Sequence, residues 1–453
     1  MSKDKLDHVH RRESAKAPTI PHAEPIRGTH VEIKQETNPV KRFFKLLGPG
    51  LITGAADDDP SGIGTYSIAG ASLGFATLWT AIITLPLMAV VQFVCAKIAL
   101  VTGRGLAGVL LHHYSRKLLY PAVLCLVIAN TINAGTDIGA IAATINLIIP
   151  IPITVMIIPI ASMIVALQIW GSYRRIATVF KWLTLALFAY IAAAFLAKPD
   201  WQQVLKATFI PQLRFDHDYL LTLVAILGTT ISPYLFFWEA SEEVEEEISD
   251  GRKSLAERKG ATGAELNQAK WDTIVGMFFC NIVFYFVILA SAATLHASGK
   301  TDIQSATDAA QALRPIAGNA ATILFAIGII GAGFLAVPVL TGSSAYAVAE
   351  TFGWKYGLDT KPKQAKQFYA VITISTFIGA LINFIGINPI AALFWTAVIN
   401  GVLAPPLLVI IMIVSNNKKI MGNRVNARFT NFVGWAAAVI MFAAAIGMFV
   451  TWQ

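Results

Sequence analysis

The sequence predicts an all-α integral membrane protein of eleven transmembrane helices, arranged as two inverted five-helix repeats with the eleventh helix appended. Three observations predict it. The chain is 55% hydrophobic and only 14% charged, with a mean hydropathy of +0.61, a composition that suits a bilayer and excludes an ordinary soluble globule. Apolar runs long enough to cross a membrane recur along it. Two of those runs, five spans apart, are interrupted near their middles by polar residues, glycine and proline.

In order along the chain, residues 1–44 are polar, with Pro18, Pro21, Pro25 and Pro39 among mixed charges. They read as a disordered cytoplasmic tail. His8, His10, His22 and His30 are too irregularly spaced to suggest more than solvated side chains. The order of a cleaved signal peptide is absent. The expected spans are 46–70 (interrupted), 74–98, 118–147, 152–170, 177–197, 217–240 (interrupted), 272–296, 319–348, 367–386, 389–414 and 430–452. The transport core is expected over 45–414, its halves being about 46–197 and 217–414, with a cytoplasmic loop and the last helix in 415–453. Of the 35 Lys and Arg, all but Lys198, Lys206, Arg214, Lys300 and Arg314 group with segments that an inside N-terminus places inside. The positive-inside rule therefore predicts a multi-pass cell-membrane protein with a cytoplasmic N-terminus and an extracytoplasmic C-terminus. The same rule accounts for the net charge of +8 without a nucleic-acid partner. Cys95, Cys125 and Cys280 lie in apolar runs without a CxxC pair, which points to buried packing rather than a disulfide or thiolate metal site.

The first break is Gly54-Ala-Ala-Asp-Asp-Asp-Pro-Ser-Gly-Ile-Gly64. From a helix start near Leu46, Asp59 lies about 20 Å along at about 1.5 Å per residue, close to mid-membrane. Carboxylates there cost about 2.5–3.5 kcal/mol each. Pro60 removes a backbone donor, and Gly62 and Gly64 loosen the chain. An unwound helix facing a cavity is expected. The second break, Gly228-Thr-Thr-Ile-Ser-Pro-Tyr234, occupies the matching place in the sixth span. Five intervening steps invert the topology, and paired broken helices mark the central site of a transporter.

Facing breaks would bring together Asp58 or Asp59, the carbonyls of Ala55 to Asp57, and Thr229, Thr230 and Ser232. No Met, Cys or His lies in either break. Such an all-oxygen set suits Mg²⁺, Ca²⁺ or Mn²⁺, and Mg²⁺, reluctant to dehydrate, fits a partly hydrated site best. Asp57 and Asp58 have the alternative roles of capping the half-helix after Pro60 or lining a vestibule. Thr229 and Ser232 have the alternative role of bonding broken backbone. Asp137, a lone acid in Asn133-Ala-Gly-Thr-Asp-Ile-Gly139, is expected to face the broken helices or a cation vestibule, with no Lys or Arg in its own span or in the interrupted ones to pair with it. The run Glu239-Ala-Ser-Glu-Glu-Val-Glu-Glu-Glu247 reads either as a solvated helix end or as an acidic inner mouth. Pro338 and Pro405-Pro406 are expected kinks, and Asn400 is a candidate for the cavity wall.

These residues resemble a known family. Asp59-Pro-Ser-Gly62 resembles the Asp-Pro-Gly-Asn motif of the first helix of NRAMP metal transporters. Gly228-Thr-Thr-Ile-Ser-Pro-Tyr234 is similar to their Gly-Ala-Thr-Val-Met-Pro-His motif, and Gly135-Thr-Asp-Ile-Gly-Ala140 to a stretch of their third helix. The resemblance spans residues 44–452 and implies the LeuT-type fold. It places the family's metal-binding Asp on Asp59 and its third-helix Asp on Asp137. The binding Asn falls on Gly62, the soft Met ligand on Ser232, the Ala carbonyl on Thr229, two His on Tyr234 and Glu239, and the proton-path Glu on Ala140. The altered pattern is similar to that of the NRAMP-related magnesium transporters, a prokaryotic branch of uncoupled Mg²⁺ and Mn²⁺ carriers. Losing the thioether removes a preference for softer ions. Losing the Glu and His removes groups able to carry a proton.

The sequence therefore predicts a monomeric carrier, not an enzyme, without cofactor, moving Mg²⁺ and also Mn²⁺ by alternating access without protons. An inward step of a divalent ion across about 100 mV gains about 4.6 kcal/mol. The alternative is a proton-coupled Mn²⁺ or Fe²⁺ importer. A sodium-coupled amino-acid carrier is disfavoured because three acids would repel a substrate carboxylate. An intramembrane aspartyl protease is disfavoured because its Gly-x-Gly-Asp and Tyr-Asp pair are missing.

Overall fold

The computed structural model describes residues 48–171 and 185–452. The expected tail and the first part of the fifth span lie outside them. The first span is two half-helices, α1 (Pro49–Asp57) and α2 (Pro60–Leu73). There follow α3 (Trp79–Thr102), α4 (Leu106–His113), α5 (Arg116–Ile148), α6 (Ile153–Trp170), α7 (Ala189–Leu196) and α8 (Trp201–Phe209). The sixth span is again split, into α9 (His217–Thr230) and α10 (Pro233–Ser249). The rest are α11 (Gly263–Thr294), α12 (Ala321–Phe352), α13 (Lys366–Leu381), α14 (Pro389–Asn416) and α15 (Arg428–Val450).

Among the described residues, nine helical stretches are long and apolar enough to span a membrane, α9 and α10 counting as one. The split first span and the partly described fifth are the two expected spans outside that nine. Leu124, Val439 and Ile446 are about 60% exposed on long helices, as lipid contact requires and water contact forbids on this scale. The chain is a multi-pass membrane protein.

The two halves pack with a two-fold logic. The first broken helix lies against α11, the second helix of the other half, and the second broken helix lies against α3, the second helix of the first half. The third helices, α5 and α12, pack on each other. Half-helix α1 also meets α10, and α2 meets α9, so both breaks fall in one place. Backbones approach closely where small residues allow it, as in other membrane bundles. A Cβ on Gly54 would stand 2.3 Å from the Gly276 carbonyl oxygen of α11, and one on Gly228 would stand 2.1 Å from the Ala397 carbonyl oxygen of α14.

Three features differ from the sequence expectation. The seventh span starts at Gly263 rather than 272, because Thr262 and Glu265 form a capping box that launches the helix early. The connection after the fifth span, left outside the expected helices, contains α8, launched by Asp200 accepting from the Gln202 and Gln203 amides. Lys97, grouped with the inner segments, is buried inside α3, where its ammonium donates to Asn426 Oδ1 at 2.6 Å. Pro338, Pro405 and Pro406 sit inside continuous helices.

Candidate metal site

The breaks are short because a proline ends each one. Pro60 and Pro233 supply no amide, which is tolerated only at a helix start. The chain leaves helix for two residues, 58–59 and 231–232. The C-terminal ends of α1 and α9 point their spare carbonyls and negative dipole ends into the gap, which suits a cation.

Asp59 organises the site. Its Oδ1 accepts from the Gly62 amide at 2.6 Å and the Ser61 hydroxyl at 2.7 Å, capping α2. Its Oδ2 accepts from Asn133 Nδ2 at 3.2 Å and the Tyr234 hydroxyl at 3.4 Å. The capping role considered for Asp57 or Asp58 therefore belongs to Asp59, because only the residue directly before Pro60 has its side chain over the first free amides.

Gly62 marks the point where both broken helices meet. A Cβ there would stand 3.0 Å from Thr229 Oγ1, 3.4 Å from the Asp57 carbonyl oxygen and 3.4 Å from Asp59 Oδ1. The Thr229 hydroxyl is buried with no hydrogen-bond partner. A carboxylate, a carbonyl and a hydroxyl thus border one small space. Thr230 and Ser232 sit beside it with their hydroxyls turned to backbone. Thr230 Oγ1 donates to the Ile226 carbonyl at 2.8 Å, and Ser232 Oγ donates to the carbonyls of Gly228 at 2.9 Å and Thr229 at 2.8 Å.

The wider surroundings are acidic. Asp57, Asp58, Asp59 and Asp137 are all buried, and among the described residues no ion pair reaches any of them. Asp57 Oδ1, Asp58 Oδ1 and both oxygens of Asp137 lack a well-formed hydrogen bond. Asp57 Oδ2 accepts from the Cys280 thiol at 3.0 Å. Cys280 is thus more than packing: its thiol stands against an acid of the first break. Glu239 lies further along α10, where its Oε2 accepts from Thr53 Oγ1 at 2.5 Å. Ala140 is buried and carries nothing to titrate. Asn400 is buried in α14 with its Nδ2 unpartnered.

Among the described residues no three His, Cys, Asp or Glu side chains converge closely enough to hold a metal ion between them. A cation beside Gly62 would draw on carbonyl and hydroxyl as well as carboxylate oxygen, the mixture that hard cations accept. Sequence reasoning missed Asn133, Tyr66 and Cys280. Asn133 had a usable signal, since it lies four residues before Asp137 and so on the same helix face. Tyr66, whose buried hydroxyl is unpartnered, and Cys280 had none.

Tyr234 ties the breaks together, its hydroxyl donating to the Ala56 carbonyl at 3.1 Å as well as to Asp59. Tyr234→Phe deletes that link and leaves the ring packing. The expected loss is about 1 kcal/mol, or about fivefold in metal uptake, with normal folding. Unchanged initial rates of uptake would show that the link does not position Asp59.

The model of a protein family described as natural resistance-associated macrophage protein-like, Nramp, matches residues 50–451. The structure is similar to that of the manganese transporter of Eremococcus coleocola in complex with an aromatic bis-isothiourea substituted compound. The TM-score is 0.73 at 17% identity, covering 92% of this chain and 87% of that one. It is also similar to Mhp1, a nucleobase-cation-symport-1 family transporter, in a closed conformation with bromovinylhydantoin bound. There the TM-score is 0.58 at 15% identity, covering 90% and 89% of the two chains. At these identities the likeness establishes the fold, which is the LeuT type.

Proposed function

Because the chain belongs to the Nramp family of divalent metal-ion transporters, we propose a finer assignment: it is an uncoupled carrier of Mg²⁺ that also passes Mn²⁺. Its place would be with the NRAMP-related magnesium transporters. The observation that carries this reading is the space beside Gly62, bordered by Asp59 Oδ1, the Asp57 carbonyl and Thr229 Oγ1 from both broken helices. Buried carboxylates with no basic partner need a cation or a proton to persist. Hard oxygen donors favour Mg²⁺ and Mn²⁺ over softer ions. Asp58 and Asp59 supply the charge, while Gly62, Thr229, Thr230 and Ser232 shape the site. Asp57, Asp137, Tyr234 and Glu239 line the approaches.

The chain would work as a monomer with its N-terminus cytoplasmic and C-terminus outside, with the domain limits given above. The inside-negative potential would drive influx. The reading is tested by competition. Mn²⁺ uptake into proteoliposomes should be suppressed by excess Mg²⁺, and Ser232→Met, which supplies a thioether, should relieve that competition by about tenfold. Mn²⁺ uptake indifferent to Mg²⁺ would remove the Mg²⁺ assignment.

One observation favours a second reading, a proton-coupled Mn²⁺ or Fe²⁺ importer. Asp137 and Glu239 are buried carboxyls with unpartnered oxygens, and such groups are able to carry protons. That reading requires uptake to rise at acid outside pH.

A further inference from the structure

One face of the acidic run that ends the sixth span is buried rather than solvated. Glu239, Glu243 and Glu247 recur every fourth residue on α10, and all three are buried. They therefore share one helix face, with about 6 Å of rise between successive acids. The ladder begins five residues after Tyr234, whose hydroxyl touches Asp59. It ends at a cavity of about 60 Å³ lined by Glu243, Glu247, Glu265, Asp272 and Arg252 together with the start of α1. At about 30 Å³ of liquid volume per water, that space is large enough for about two waters.

Acids outnumber the single lining arginine, and Glu246 and Asp250 also line the cavity. Arg252 is engaged by Glu247 Oε1 at 2.8 Å and by Glu265. The Asp272 carboxylate accepts the Gly50 amide at 2.7 Å and the Leu51 amide at 3.2 Å. Glu247 is 5% exposed, and its Oε2 has no partner. One rung higher, Glu239 Oε1 is also buried and unpartnered. A cavity lined by acids, with the buried Glu243 carboxyl among them, attracts a divalent cation. Because no three carboxylates converge there, the ion would be held through its own water shell, as Mg²⁺ tolerates and water-mediated contacts allow.

We infer that this cavity is a second cation site, a waypoint that holds a hydrated divalent ion between the central break and the inner mouth. The inference rests on the divalent-carrier reading, and the test separates the two. Binding of Mn²⁺ to the full chain in detergent is measured by loss of the free-ion paramagnetic resonance signal. In the Asp59→Ala background one class of binding is expected to remain. Adding Glu243→Gln and Glu247→Gln should abolish it. Should Glu247→Gln fail to fold by loosening Arg252, Glu243→Gln alone leaves that contact intact and must still weaken the residual binding about fivefold or more. In transport, Glu243→Gln should lower the maximal rate and leave the half-saturating concentration unchanged. If Asp59→Ala removes all Mn²⁺ binding, or if the residual binding ignores both glutamates, the waypoint is overturned and the central site stands. If the unaltered chain binds no Mn²⁺, the carrier reading itself fails.

Discussion

Asp59→Asn will abolish Mg²⁺ and Mn²⁺ uptake, by about a hundredfold or more, in a protein that still folds. The Asp59 carboxylate borders the space beside Gly62, and removing one partner of a buried charge contact costs about 3–5 kcal/mol, enough for that loss. Folding should survive because asparagine caps a helix about as well as aspartate, so the bond from the Gly62 amide is kept. Asp59→Ala lacks the cap as well and should cost about 1 kcal/mol more in stability. Uptake assays paired with thermal melts read the two effects apart. Ordinary uptake by Asp59→Asn would remove Asp59 from the ion's path.

The second large effect concerns the seat of the first broken helix. At Gly54 a Cβ would stand 2.3 Å from the Gly276 carbonyl oxygen, and at Gly50 2.7 Å from the Thr273 amide nitrogen. Both collisions are with backbone, which has no rotamer to give. Gly54→Val must push α1 off α11, beyond the about 1–3 kcal/mol of ordinary overpacking. The expected result is loss of transport with a melting temperature several degrees lower, or no folded protein. Gly263→Ala, at a position with open space around it, is the control and should change neither. A Gly54→Val protein with normal melting and transport would mean that the close approach of α1 and α11 is not required.

Much of the architecture was legible because a bilayer imposes simple rules. Apolar length marked the spans, and Pro60 and Pro233 fixed both breaks to within a few residues, since a proline starts a helix far more readily than it continues one. Asp59, Thr229 and Gly62 were foreseeable neighbours once the halves were read as an inverted repeat. Features that depend on packing were not legible. The run Glu239–Glu247 is polar by composition, and nothing in composition says that its every-fourth-residue face turns inward. The four-residue spacing was present, and only a partner surface gives it meaning. The contact between Cys280 and Asp57 joins residues 223 apart in the chain, and no local pattern foretells it. Helices α4 and α8 are too short to stand out from loops by apolar length. The cap on α2, an alternative role for Asp57 or Asp58 in the sequence, falls to Asp59, because three aspartates in a row differ only in their distance from Pro60.

The central claim is a divalent cation moving through an all-oxygen site without a proton. It is tested most directly in proteoliposomes held inside-negative, with a Mg²⁺-sensitive dye within and internal pH followed in parallel vesicles. The account predicts that Mg²⁺ added outside enters without acidification and that Asp59→Ala stops it. No Mg²⁺ entry, with Mn²⁺ entering alongside protons, would contradict it and return the chain to proton-coupled transport of transition metals.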